Sequence, residues 1–146
     1  TFEAAAYLKK NGADISKVRR MFRDDINDYK AKALAIQNTT IYKDEYAISV
    51  CDAKNVSSPT VVGAQAANEL LNIKDVKASF VCTPYNDMIY ISARSVDKVN
   101  VQVLMEEFGG GGHMNLAGAQ VKDASLGEVV QMIKNLISKK IEEGDM

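Results

Sequence analysis

The chain has 146 residues, 47% of them hydrophobic and 25% charged, a balance that predicts one soluble folded domain with a substantial core. Its 18 Lys and Arg and 19 Asp and Glu leave a net charge of −1, so no overall basic field exists for broad, sequence-blind binding to long nucleic acid. No apolar run is long enough to span a membrane, and no secretory signal pattern is present.

The chain opens at Thr1 directly in helical sequence and therefore reads as a piece of something longer. Residues 2–10 predict a short helix, with Thr1 as its cap and Gly12 as its stop. A longer helix is expected over 16–37. Its apolar positions Ile15, Val18, Phe22, Ile26, Tyr29, Ala33 and Ile36 recur at three- and four-residue steps. The opposite face mixes Lys17, Arg20 and Arg23 with Asp24 and Asp28, which suits solvent better than a nucleic acid. Residues 1–38 are taken as a helical connector, because every strand signal comes later.

Residues 40–43 and 46–51 predict two strands joined around Asp44-Glu45. Ser58-Pro59 starts a helix running to about Leu71, and its Gly63, Ala64, Ala66 and Ala67 suit close packing on a sheet. Residues 76–83 predict a strand, Pro84-Tyr85-Asn86-Asp87 a turn, and residues 88–95 another strand. In that last strand Ile89, Ile91 and Ala93 point to one face, and Tyr90, Ser92 and Arg94 to the other. The second set reads either as an exposed strand face or as an anion site, since a guanidinium can bind phosphate with two parallel hydrogen bonds.

Asn100 caps a helix carrying Val101, Leu104, Met105 and Phe108. It delivers the chain into Gly109, Gly110, Gly111 and Gly112, followed by the only histidine, His113. Such a run can cradle an anion or admit a ligand close to the backbone; the blander readings are a linker or an elaborated helix end. Residues 117–121 predict a final strand, and Ser125-Leu126-Gly127-Glu128 is a capping box opening a last amphipathic helix. The expected fold is α/β: a mixed sheet of about five strands packed with helices, after the helical connector.

Cys51 and Cys82 lie in strand-like apolar stretches and read as reduced core residues of a cytosolic protein, with a disulfide or a thiol nucleophile the lesser reading. A hydrolytic two-metal centre needs several close His, Asp or Glu ligands. One histidine, with no HExxH or CxxC pattern, does not offer that set.

Ile91-Ser92-Ala93-Arg94-Ser95, then Asn100-Val101-Gln102-Val103, then Gly109-Gly110-Gly111-Gly112-His113 together resemble the DHH-associated (DHHA) domain of the DHH phosphoesterase superfamily. Thr1-Phe2-Glu3-Ala4-Ala5, Gly12-Ala13-Asp14 and Ala78-Ser79-Phe80 add a resemblance to its GdpP-type cyclic di-AMP phosphodiesterase branch. The resemblance covers nearly the whole chain. It implies that residues 39–146 are a substrate-binding domain and residues 1–38 the connector from an upstream DHH domain, which would hold two Mn²⁺ and hydrolyse the substrate. No cofactor is expected in this chain itself, which alone should be inactive.

Carried over by the same resemblance, Arg94 would bind a substrate phosphate, with Ser92 and Ser95 adding hydrogen bonds. Gly109, Gly110, Gly111 and Gly112 would supply backbone donors and clearance, and His113 would contact the nucleotide without acting as general base. Met114-Asn115-Leu116-Ala117-Gly118 departs from the common GGGH-x-x-A-A-G pattern. The implied parent hydrolyses cyclic di-AMP to pApA; the alternatives are a short-oligonucleotide phosphodiesterase (nanoRNase) or a nucleic-acid-binding module without catalysis. The expected partner is a cyclic dinucleotide or short linear nucleotide. A homodimer through a sheet edge or the helical lead-in is compatible with the sequence. The chain would be a cytoplasmic domain, its parent membrane-anchored if of GdpP type.

Overall fold

A computed structural model describes residues 25–144. The helix expected over 2–10 and the first part of the one expected over 16–37 lie outside them. Within the described residues that second helix, α1 (Ile26–Gln37), begins at Ile26. Asp25 stands in extended backbone (φ −60°, ψ 145°) and its carboxylate accepts from the Asn27 amide at 2.8 Å. A short acidic side chain that satisfies the first free amides starts a helix more readily than it continues one.

Six strands follow: β1 (Thr40–Tyr42), β2 (Tyr46–Val50), β3 (Ala78–Tyr85), β4 (Met88–Ser95), β5 (Gly111–His113) and β6 (Leu116–Lys122). Between them lie α2 (Pro59–Leu70) and α3 (Gln102–Glu107), and α4 (Leu126–Glu143) closes the chain. The sheet order is β1-β2-β3-β4-β6-β5, parallel only between β2 and β3, which α2 connects. The mixed sheet is as expected. The sixth strand is β5, formed inside the glycine run, where composition alone gives no strand signal.

Local chemistry explains the elements. Asn86 and Asp87 both take positive φ (53° and 60°), the conformation that a tight β3–β4 hairpin requires. Asn100 Oδ1 accepts from the Gln102 amide at 3.0 Å and so caps α3. Ser125 and Glu128 form the reciprocal capping box of α4.

The sheet is sandwiched. On one face Phe80, Ile91, Leu104, Met105, Ile133 and Ile137 build a core under α3 and α4. On the other, Val62, Ala66, Ala67 and Leu70 of α2 pack with Val81, and Ala31 and Ala35 of α1 join them. The small residues of α2 bring it close: a Cβ on Gly63 would collide with Thr83 Oγ1. α2 packs on β3 and β4, and among the described residues the same face of β6 and β5 carries no helix. That uncovered strip is where the polar face of β4 continues. No helix among the described residues is long and apolar enough to cross a membrane.

Candidate functional site

The strand register turns the sequence-predicted residues into a grid. Opposed residues of antiparallel strands project to the same face. Arg94 pairs with Leu116, and Leu116 with His113, so these three form one row across β4, β6 and β5. The next row is Ser92, Gly118 and Gly111. Then come Tyr90 with Gln120, and Met88 with Lys122. Arg94 and His113 thus share a face about 10 Å apart, two inter-strand spacings, with the exposed Leu116 between them.

Ser95 sits elsewhere. By strand alternation it faces the α3–α4 side, and it is buried. Its hydroxyl donates to Val99 O (2.6 Å), lies 3.2 Å from Met114 O, and accepts from Asn115 Nδ2 at 2.9 Å. The Asn115 amide also reaches Asp97 O at 3.1 Å. Together with the Ser95 amide on Asn115 O and the Val101 amide on Met114 O, these bonds pin the β5–β6 hairpin tip to the end of β4 and the start of α3. Asn115, at a position the family pattern leaves open, is therefore a clamp, and the departure from that pattern falls on its neighbour Leu116.

Arg94 is half-buried. Its Nε donates to Asn68 Oδ1 at 2.9 Å, and Nη1 to Ala93 O at 2.9 Å and, more weakly, to Ala117 O at 3.5 Å. Every one of these acceptors is neutral, and no carboxylate among the described residues pairs with it. Burial alone pushes the guanidinium below its ordinary pKa, yet an arginine stays charged throughout the physiological range. The result is an oriented cation with no counter-charge and with Nη2 uncommitted.

The glycines serve clearance and closure. Gly109 takes φ 80° just past α3, the usual left-handed helix stop. Its amide donates to Glu106 O at 3.0 Å and that of Gly110 to Met105 O at 2.9 Å, so neither is free for a ligand. A Cβ at Gly110 would run into the Gly118 carbonyl and Ala119. Close approach is what lets Gly109 and Gly110 wall a trough of about 670 Å³, floored by Ser92, Gly118, Tyr90 and Gln120 and bounded on the α2 side by Thr60. Arg94 and His113 form the row beyond its Ser92 end. Thr60 and Gln120 were not singled out in the sequence. The alternation of Gly118, Gln120 and Lys122 against Ala117, Ala119 and Val121 carried the signal for Gln120; nothing local marked Thr60.

A model of the family described as the DHHA1 domain matches residues 43–139. The chain belongs to the DHHA1 domain family. It is 39% identical over 138 residues to the cyclic-di-AMP phosphodiesterase PdeA of Listeria monocytogenes serotype 1/2a (strain 10403S), covering 94% of this chain and 21% of that protein. It is 38% identical over 146 residues to the cyclic-di-AMP phosphodiesterase GdpP of Bacillus subtilis (strain 168), covering 99% and 22%. The chain thus spans about a fifth of the length of these relatives. The DHHA1 fold also superposes on an exopolyphosphatase-related protein from Bacteroides fragilis with a TM-score of 0.75 at 24% identity, over 95% of this chain and 43% of that one. Among the described residues of this DHHA1 domain, no three His, Cys, Asp or Glu side chains are grouped so as to hold a metal ion.

Proposed function

We propose that this DHHA1 domain grips the nucleotide substrate of a cyclic di-AMP phosphodiesterase and leaves bond cleavage to an upstream DHH domain of the same chain. The observation that carries the reading is Arg94: a half-buried, oriented guanidinium with no anionic partner among the described residues, at the head of a trough large enough for a nucleotide. An uncompensated buried cation is costly to maintain, and a substrate phosphate offsets that cost.

In this reading Nη2 of Arg94 donates to phosphate oxygens and the Ser92 hydroxyl adds a bond one row, about 7 Å, away. His113 contacts the nucleotide from the other end of the Arg94 row. Gly109 and Gly110 give room for the substrate. Gly111 and Gly112 carry His113 on the edge strand, and Ser95 supports the tip from behind the sheet. The residues described here do not fit a two-metal centre, so Mn²⁺ belongs, on this reading, to the upstream domain, and no step of hydrolysis is assigned to this chain. Residues 1–38 are its connector, and a membrane anchor, if the parent is of GdpP type, precedes both.

The test is turnover by the full-length protein with Mn²⁺. It should convert cyclic di-AMP to pApA, the chain of residues 1–146 alone should not, and Arg94→Ala should raise KM about tenfold or more, the scale of one lost charge-assisted bond. A parent inert toward cyclic di-AMP but active on linear dinucleotides would move the domain to the nanoRNase branch.

A further inference from the structure

The trough does not stop at the phosphate grip. It runs on past Ser92 along β4 and β6 to Tyr90 and Gln120, with Thr60 on its far wall. We propose that this extension holds a base of the substrate and that Gln120 selects adenine over guanine. The inference rests on the reading of the domain as a nucleotide grip and adds to it the identity of the base.

Three observations carry it. The first is reach. The Tyr90–Gln120 row lies about 7 Å from Ser92 and about 13 Å from Arg94 along the strands, which brackets the span from a nucleotide's phosphate to the far edge of its base. The second is the aromatic surface. Tyr90 is half-buried on the trough floor, and its ring leans on Tyr85 with centroids 6.1 Å apart and planes tilted by 51°. The neighbour holds the Tyr90 ring in place, and a fixed aromatic face is a stacking platform for any base.

The third is the polar edge. Gln120 is directly opposite Tyr90 in the register, is exposed, and has no hydrogen-bond partner among the described residues. A carboxamide offers one acceptor and a pair of donors side by side. Adenine presents the complementary arrangement, an amino group next to a ring nitrogen acceptor. On guanine a carboxamide can pair with O6 and N1–H but leaves the adjacent 2-amino donor without an acceptor, whereas a carboxylate accepts from N1–H and the 2-amino group together. No Asp or Glu lines the trough.

The experiment compares kcat/KM for cyclic di-AMP and cyclic di-GMP in the full-length protein, as a ratio, so that the amount of folded enzyme cancels. Wild type should favour the adenine substrate. Gln120→Glu should lower the adenine-to-guanine ratio about tenfold or more, within the range that one bidentate base contact discriminates. Tyr90→Leu should raise KM for both substrates and leave the ratio in place. A ratio that Gln120→Glu does not move, or a KM that Tyr90→Leu does not move, overturns the base assignment. Arg94→Ala separates the two levels: if it raises KM while the ratio in Gln120→Glu stays at the wild-type value, only the base assignment falls. If Arg94→Ala leaves KM unchanged, or wild type acts on neither substrate, the nucleotide-grip reading falls and takes the base assignment with it.

Discussion

Arg94 and Asn68 meet across the gap between β4 and α2, with Nε donating to the side-chain oxygen at 2.9 Å. The pairing orients the guanidinium without neutralising it, because a carboxamide accepts a hydrogen bond and carries no charge. The charge is thereby kept for a ligand. Asn68→Asp preserves size and the acceptor but supplies the missing counter-charge. It should therefore raise KM about as much as Arg94→Ala, roughly tenfold, while the melting temperature holds or rises. Asn68→Ala should raise KM less, because it loosens the cation without pairing it. Steady-state kinetics of the full-length protein together with thermal melts decide the matter. An Asn68→Asp enzyme with wild-type KM would mean that the charge of Arg94 is not what the substrate uses.

Two serines three residues apart should separate cleanly. Ser92 opens onto the trough and Ser95 is locked behind the sheet. Ser95→Ala removes the partner of Val99 O and Asn115 Nδ2 in a buried setting, so it should cost about 1–3 kcal/mol of unfolding free energy. Ser92→Ala should leave stability within about 0.5 kcal/mol and raise KM instead. Chemical denaturation and kinetics on the same pair of variants check this; the opposite pattern would invert the assignment of the two faces.

The sequence and the structure agree most closely where local chemistry decides. The β4 strand came out residue for residue, since strict alternation from Met88 to Ser95 has one structural solution. The Ser125–Glu128 box did the same for α4. Site geometry was less legible. Ser92, Arg94 and Ser95 are neighbours in sequence, but a strand sends residues of odd and even number to opposite faces, and motif proximity hid the odd position of Ser95. The strand at β5 was invisible for a related reason. Glycine has almost no intrinsic strand preference, and what makes Gly111 and Gly112 extended is their pairing with Gly118 and Ala117, a partnership no local window contains. Asn68 and Thr60 reach the site only because α2 folds back over β3 and β4.

Gly110 should tolerate no side chain. A Cβ there meets the Gly118 carbonyl and Ala119 within bonding-like distances, and backbone cannot swing aside as a flexible side chain can. Gly110→Ala should cost about 1–3 kcal/mol, the range for overpacking, and should raise KM by displacing the trough wall. Gly111→Ala, where a Cβ meets nothing within 4 Å, should cost less than about 1 kcal/mol. Urea denaturation midpoints of the two variants test the difference, and equal costs would mean the close approach at Gly110 is absent in solution.

The two thiols should be silent in the native protein and should report on unfolding at high pH. Cys82 is buried in the α3–α4 core, and burial pushes its pKa from 9.0 up to about 12. Cys51 is raised as well, by burial first and by the Asp52 carboxylate second, with the neighbouring Thr83 side chain pulling the other way. The thiolate is the reactive form, so maleimide labelling of both cysteines at pH 8 should be slow in the folded chain and fast in denaturant. The linkage has a definite sign. A pKa raised by folding means that the unfolded chain loses its proton first. The contribution of Cys82 to stability is therefore full below pH 9 and is lost as the pH climbs from 9 toward 12. Denaturation midpoints measured across that window should fall more steeply for wild type than for Cys82→Ala, in which the titrating group is gone. Parallel slopes, or rapid native-state labelling, would place Cys82 outside the core.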